Sequence, residues 1–191
     1  GGHLGVVKYL RAYGAEMELS DPAGNFPIHH AVGDRHKHVV EFFLEEGLSL
    51  DVRDTDGRTP LHRAITGGFP DIVDLLLEWG ADVNTRDRFG NNSLHLAVEH
   101  KNVSLARIVL RKGADINARN DEGELPLHIA TRKGPLESVD LLLRQGSAVN
   151  VANDEGETPL VLAVKSSRHV NDARRQEWTS IVTLLREYRA E

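Results

Sequence analysis

Glycines fall at positions 24, 57, 90, 123 and 156, each 33 residues after the last, and a second series falls at 14, 47, 80, 113 and 146 with the same step. A chain that repeats at one fixed period is built from supersecondary units, each of which gains its stability by stacking on its neighbours. The phrases between the glycines align as well: NFPIHHA (25–31), RTPLHRA (58–64), NNSLHLA (91–97), ELPLHIA (124–130) and ETPLVLA (157–163). So do the second halves, HVVEFFLEEG, DIVDLLLEWG, SLARIVLRKG and ESVDLLLRQG. The register predicts a partial unit over 1–23, full units over 24–56, 57–89, 90–122 and 123–155, and a terminal unit over 156–191, all in one repeat domain.

Each unit reads as helix, turn, helix and extended loop. Thr59 can cap a helix whose first position suits Pro60, where the missing N–H costs nothing. Leu61, Ala64 and Ile65 make a short apolar stripe, and Gly67 and Gly68 break the helix. Pro70 and Asp71 start a second helix. Its Ile72, Val73, Leu75, Leu76 and Leu77 are too apolar for one buried stripe and call for neighbours on several sides. Gly80 ends it. Helices this short are marginal alone, so stacking must supply their stability.

TPLH, followed by Gly80-Ala81-Asp82-Val83-Asn84, resembles the ankyrin repeat, and the resemblance runs along essentially the whole chain. It implies an all-α solenoid of stacked helix pairs, with β-hairpin loops ("fingers") along one edge and first helices lining a concave face. It also implies a non-catalytic, monomeric module that holds protein partners inside the cell, in the cytoplasm. The identity of the partner does not follow from it. Asn84 sits where some animal ankyrin proteins are hydroxylated.

His29, His62, His95 and His128 share one slot, 33 residues apart. The resemblance implies a structural role, tying the helix start to neighbouring loops. A shared metal is excluded by geometry, because stacked helices lie roughly 10 Å apart and histidine nitrogens sit about 2 Å from a zinc they share. Gly57, Gly90, Gly123 and Gly156, with Thr59 and Pro60, complete the structural motif. Departures are informative: Val161 replaces the last histidine, Phe26 and Leu125 replace the threonine, and Asn92-Ser93 replaces Thr-Pro. A lost capping hydroxyl costs about 1 kcal/mol. The units starting at Gly24 and Gly123 should therefore be less rigid, unless packing by Phe26 and Leu125 compensates.

The two ends differ. Gly2-His3-Leu4 matches the opening of a second helix, so the chain is expected to start midway through a unit and its parent to continue upstream. Val6, Val7 and Leu10 should then lie exposed. At the other end Ile181-Val182-Thr183-Leu184-Leu185 restarts the second-helix pattern and REYRAE gives it a polar close. About ten extra residues fall within SSRHVNDARRQEW, near 166–178. They form either a tolerated surface excursion or, through Arg168, Arg174, Arg175 and Trp178, a partner contact.

Positions the scaffold leaves open are where a partner would bind. The second and third fingers carry Arg53, Arg58, Arg86 and Arg88, with Phe89 at the tip of the third. The fourth and fifth carry Asp121, Glu122, Glu124, Asp154, Glu155 and Glu157, backed by Arg132, Lys133 and Lys165 on first helices. Phe89 has no obvious core to fill. It is either an interface anchor or packed on a neighbouring finger. The carboxylates either attract a basic segment of the partner or keep the edge soluble.

Other classes fit poorly. The net charge of −6 argues against a nucleic-acid binder. No apolar run reaches the roughly 18 residues of a membrane span. There is no cysteine for thiolate chemistry. No phosphate loop, zinc-protease pattern or convergent Ser/His/acid spacing is present, so neither catalysis nor a cofactor is expected. His29, His30, His36 and His38 are read as turn residues rather than a metal site. The alternative reading is a targeting or regulatory segment of a larger protein whose catalytic domain lies upstream of residue 1.

Overall fold

The computed structural model describes residues 2–168 and 172–189, with side chains described for 2–168 and 175–188. The chain is all-α, and it divides into two compact units, residues 1–88 and 89–191. The first contains α1 (Leu4–Ala12), α2 (Pro27–Gly33), α3 (Lys37–Glu45), α4 (Pro60–Thr66) and α5 (Pro70–Glu78). The second contains α6 (Ser93–Glu99), α7 (Val103–Arg111), α8 (Pro126–Lys133), α9 (Leu136–Arg144), α10 (Pro159–Ser167) and α11 (Asp172–Arg189).

Helix starts keep the sequence period. First helices open at Pro27, Pro60, Ser93, Pro126 and Pro159, and second helices at Leu4, Lys37, Pro70, Val103 and Leu136. In the first unit α2 packs on α3 and α4, α4 on α5, and α3 on both α1 and α5. In the second, α8 packs on α6, α9 and α10, while α9 also meets α7 and α11. This explains the apolar excess of the second helices: Ile72, Val73 and Leu76 of α5 are fully buried between α3 and α4. Ile28, Leu61 and Ile65 complete that core, and Leu94, Leu105, Leu127, Leu142 and Ile181 form the core of the second unit. Each such side chain contributes about 1.5–3 kcal/mol on burial.

No strand occurs among the described residues; the first, second, fourth and fifth fingers are hydrogen-bonded turns. Asp21, Asp54, Asn120 and Asn153 donate their N–H to Asn25, Arg58, Glu124 and Glu157 at 2.9–3.0 Å. The same four side chains accept, through Oδ1, the N–H groups two and four residues on. Fingers within a unit are also tied to each other. Thr55 N–H reaches the Ala23 carbonyl and Arg88 N–H the Asp56 carbonyl, while in the second unit Asp121 reaches Phe89 and Asp154 reaches Glu122.

The ends carry the departures. Val6 and Leu10 are about half exposed, at 55% and 51%, and Tyr9 and Tyr13 lie open beside them. The extra residues near 166–178 do not all loop out. From Asp172 onward they lengthen α11 to 18 residues, against 9 for α9. Trp178 is buried with Ile181 and Leu185, at a spacing that puts all three on one helix face. The apolar stripe thus begins at Trp178, three residues before the expected restart at Ile181. Residues 169–171 and 190–191, and the Arg174 side chain, lie outside the described residues.

Candidate protein-interaction surface

His29, His62, His95 and His128 are all buried. Nδ1 of each accepts the N–H of the residue at the helix start, Phe26, Thr59, Asn92 or Leu125, at 3.0–3.3 Å. Nε2 then donates to a finger carbonyl, that of Arg58, Thr85, Glu124 or Val151, at 3.0–3.1 Å. In His29, His62 and His128 the proton therefore sits on Nε2, and each ring pins helix start to finger; His95 Nδ1 also lies 2.7 Å from Asn92 Oδ1. Burial lowers the His62 pKa to about 4 and moves His29 and His128 in the same direction.

This geometry changes the reading of the caps. The Thr59 hydroxyl lies 3.1 Å from His62 Nδ1. The same imidazole bond takes the N–H of Phe26 and Leu125, and there the His29 and His128 N–H groups turn to the Phe26 and Leu125 carbonyls at 2.9 Å, so these helix starts keep partners without a hydroxyl. Where Val161 removes the histidine, Thr158 Oγ1 accepts the Val161 N–H instead, at 3.4 Å. Pro60 occupies the first position of α4 and is buried.

Gly57, Gly90, Gly123 and Gly156 all have φ between 70° and 76°, in the left-handed region. At Gly57 space is also short: a Cβ would lie 2.9 Å from the Arg88 nitrogen of the next finger. At Gly156 it would meet nothing within 4 Å.

The finger arginines are largely committed to the stack. Arg53, also on the second finger, donates to the carbonyls of Gly57 and Arg86 at 3.0 and 2.6 Å, joining two fingers. Arg88 pairs with Asp56 at 2.7 Å, and Arg58 sits 3.7 Å from the same carboxylate. Arg86 lends its carbonyl to Arg53 and keeps an exposed side chain. Phe89 is 48% exposed, with its carbonyl held by Asp121. Within the first unit, Asp54 is buried against Arg63 at 2.7 Å. Burial pushes its pKa up, but the Arg58 N–H and the Arg63 guanidinium outweigh it and hold the group below the usual carboxylate range.

In the second unit the six finger carboxylates sort into two groups. Asp121, Glu122, Glu124, Asp154, Glu155 and Glu157 line one cavity of about 280 Å³, together with Arg132 and Asn153. Three of them are neutralised from within. Glu124 is buried and takes both nitrogens of Arg132, Asp154 meets Arg119 at 3.3 Å, and Glu157 is bonded by Lys165. Lys133 is bonded to Glu99 and so does not face the acids. Among the described residues Glu122 and Glu155 are exposed and carry no ion pair, which leaves the cavity a negative surplus. Asp or Asn recurs at 21, 54, 87, 120 and 153, the residue types that bond their own backbone two residues on.

His29, His30, His36 and His38 go to different partners. His29 holds the Arg58 carbonyl, His30 meets Asp21, and His38 meets the Gly2 carbonyl. The His36 ring lies 6.2 Å from that of His38. Among the described residues no helix is long and apolar enough to cross a membrane.

No curated protein matches the chain. The sequence does match a family described as ankyrin repeats (3 copies), once over residues 1–87 and again over 88–175. Members of that family are generally protein–protein interaction modules. With helix pairs at a constant 33-residue step and the family pattern spanning most of its length, the chain belongs to the ankyrin-repeat family.

Proposed function

We propose that this chain is a non-catalytic module that holds a protein partner, and that the cavity between its fourth and fifth fingers receives a basic segment of that partner. The observation that supports this reading is the pair Glu122 and Glu155. Both lie exposed on a cavity whose other acids are largely matched by internal cations. Carboxylates presented on rigid turns need no reordering on binding, and a surplus of one sign raises the encounter rate with the opposite sign. Phe89, in the same unit, is a further candidate contact, and Arg86 is a separate candidate in the first unit. The constant step of the helices supports repeat boundaries at 24, 57, 90, 123 and 156, and the family's habit suggests a cytoplasmic setting.

Fluorescence anisotropy with labelled octalysine tests it. The expected result is binding that weakens as salt rises and falls about three- to tenfold in Glu122→Gln/Glu155→Gln, the scale of two exposed ion pairs. Equal affinity of wild type and variant would remove the finger cavity as the basic-segment site.

A further inference from the structure

A larger groove lies on the other layer of helices in the second unit. Leu136, Glu137, Asp140 and Arg144 of α9 form one wall, and Thr179, Ser180, Thr183, Leu184 and Glu187 of α11 the other, around about 460 Å³. The corresponding groove between α7 and α9 encloses only about 210 Å³ and is lined by Arg107, Leu110, Arg111, Leu141 and Gln145. The two differ in both size and sign.

The sequence of α11 accounts for the size. Its large side chains Trp178, Ile181 and Leu185 turn into the core. Ser180, Thr183, Leu184 and Glu187, spaced i, i+3, i+4 and i+7, fall on one face of the helix. Three of the α11 wall residues are short hydroxyl side chains, and all three are satisfied along their own helix. Thr179 donates to the Arg175 carbonyl, Ser180 to Gln176 and Thr183 to Thr179, at 2.9–3.1 Å. Among the described residues none of these bonds crosses the groove, which the three short side chains line beside Leu136 and Leu184.

The charge is equally uneven. Arg144 is fixed on both oxygens of Asp140 at 2.8 Å. Glu137 and Glu187 are exposed and have no ion pair among the described residues. The groove therefore sets Leu136 and Leu184 beside carboxylates on opposite walls that carry no ion pair among the described residues. Its volume falls within the range of sites that enclose small ligands or a few side chains.

We infer that the α9–α11 groove is a second docking site, which takes a short basic peptide segment of a partner protein. An aliphatic side chain seats on Leu136 and Leu184, and a neighbouring lysine or arginine reaches Glu137 or Glu187. The groove shares no lining residue with the finger cavity, so each site stands or falls by itself.

The test is an amide-shift titration of the ¹⁵N-labelled chain with an amidated hexapeptide of alternating lysine and leucine, and with its glutamate–leucine counterpart. The expected result is saturable shifts at Glu137, Asp140, Thr183 and Leu184 with the lysine peptide alone. Thr183→Trp, which fills the groove without changing charge, should abolish them. Glu137→Gln/Glu187→Gln should weaken them about three- to tenfold. Both of those positions are exposed, so this variant keeps the test usable if the tryptophan variant does not fold. Shifts confined to Glu122, Asp154 and Glu155 would overturn the groove while leaving the finger cavity standing. No saturation by about 5 mM peptide would also overturn it. So would shifts that survive Thr183→Trp.

Discussion

The carboxylate of Glu124 is buried and bonded through both oxygens to the guanidinium of Arg132, at 2.5 and 2.9 Å. Two residues away, Glu122 projects into solvent with no cation on it. One finger therefore carries a structural acid and an available one. Glu124→Gln should lower stability by about 2 kcal/mol, the scale of charged hydrogen bonds lost from a buried partner. Glu122→Gln should stay within about 0.5 kcal/mol. Urea unfolding of the two variants checks this, and equal midpoints would contradict the division of labour.

His62 gives a pH dependence with a definite sign. The unfolded chain takes up this proton near 6.5, and the folded one only at about 4. Between those values the unfolded state binds more protons, so stability falls as pH falls through that window and is level above it. From pH 7 to pH 5 His62 alone should remove about 2 kcal/mol. His29 and His128, also lowered by burial, act in the same direction. Denaturant midpoints at the two pH values measure the loss, and a chain equally stable at both would contradict a neutral, Nε2-protonated imidazole.

The finger glycines should not tolerate alanine equally. Gly57 and Gly156 both have positive φ, worth about 1–2 kcal/mol against an L side chain. Only at Gly57 does the new Cβ also press on backbone, 2.9 Å from Arg88 N. Gly57→Ala should therefore lower the melting temperature clearly more than Gly156→Ala. Matching losses would mean that the close approach between fingers carries no weight.

The helix frame was legible because period and caps repeat: Pro60 and Gly80 mark boundaries that Pro126 and Gly146 mark again two units on. The shared histidine slot was legible through repetition as well. Its mechanism was not, since a threonine before a helix ordinarily caps it, and here the imidazole of His62 takes the N–H of Thr59 itself. The burial of Glu124 escaped notice for a related reason. Its slot holds Asn25, Arg58 and Glu157 in other units, so residue type gave no sign of which copy turns inward. Trp178 looked like a surface contact because inserted residues usually loop out, whereas helix α11 extends backward to meet it.

Partner binding by the acidic fingers should depend on Glu122 and Glu155. Its most direct test compares proteins captured from an extract of the source cells by the intact chain and by Glu122→Lys/Glu155→Lys. Matched circular dichroism melts would establish that both fold alike. The account predicts that at least one captured protein is lost from the variant and is competed away by a peptide from a basic stretch of its own sequence. Identical capture by the two chains, with no competition by basic peptides, would contradict it.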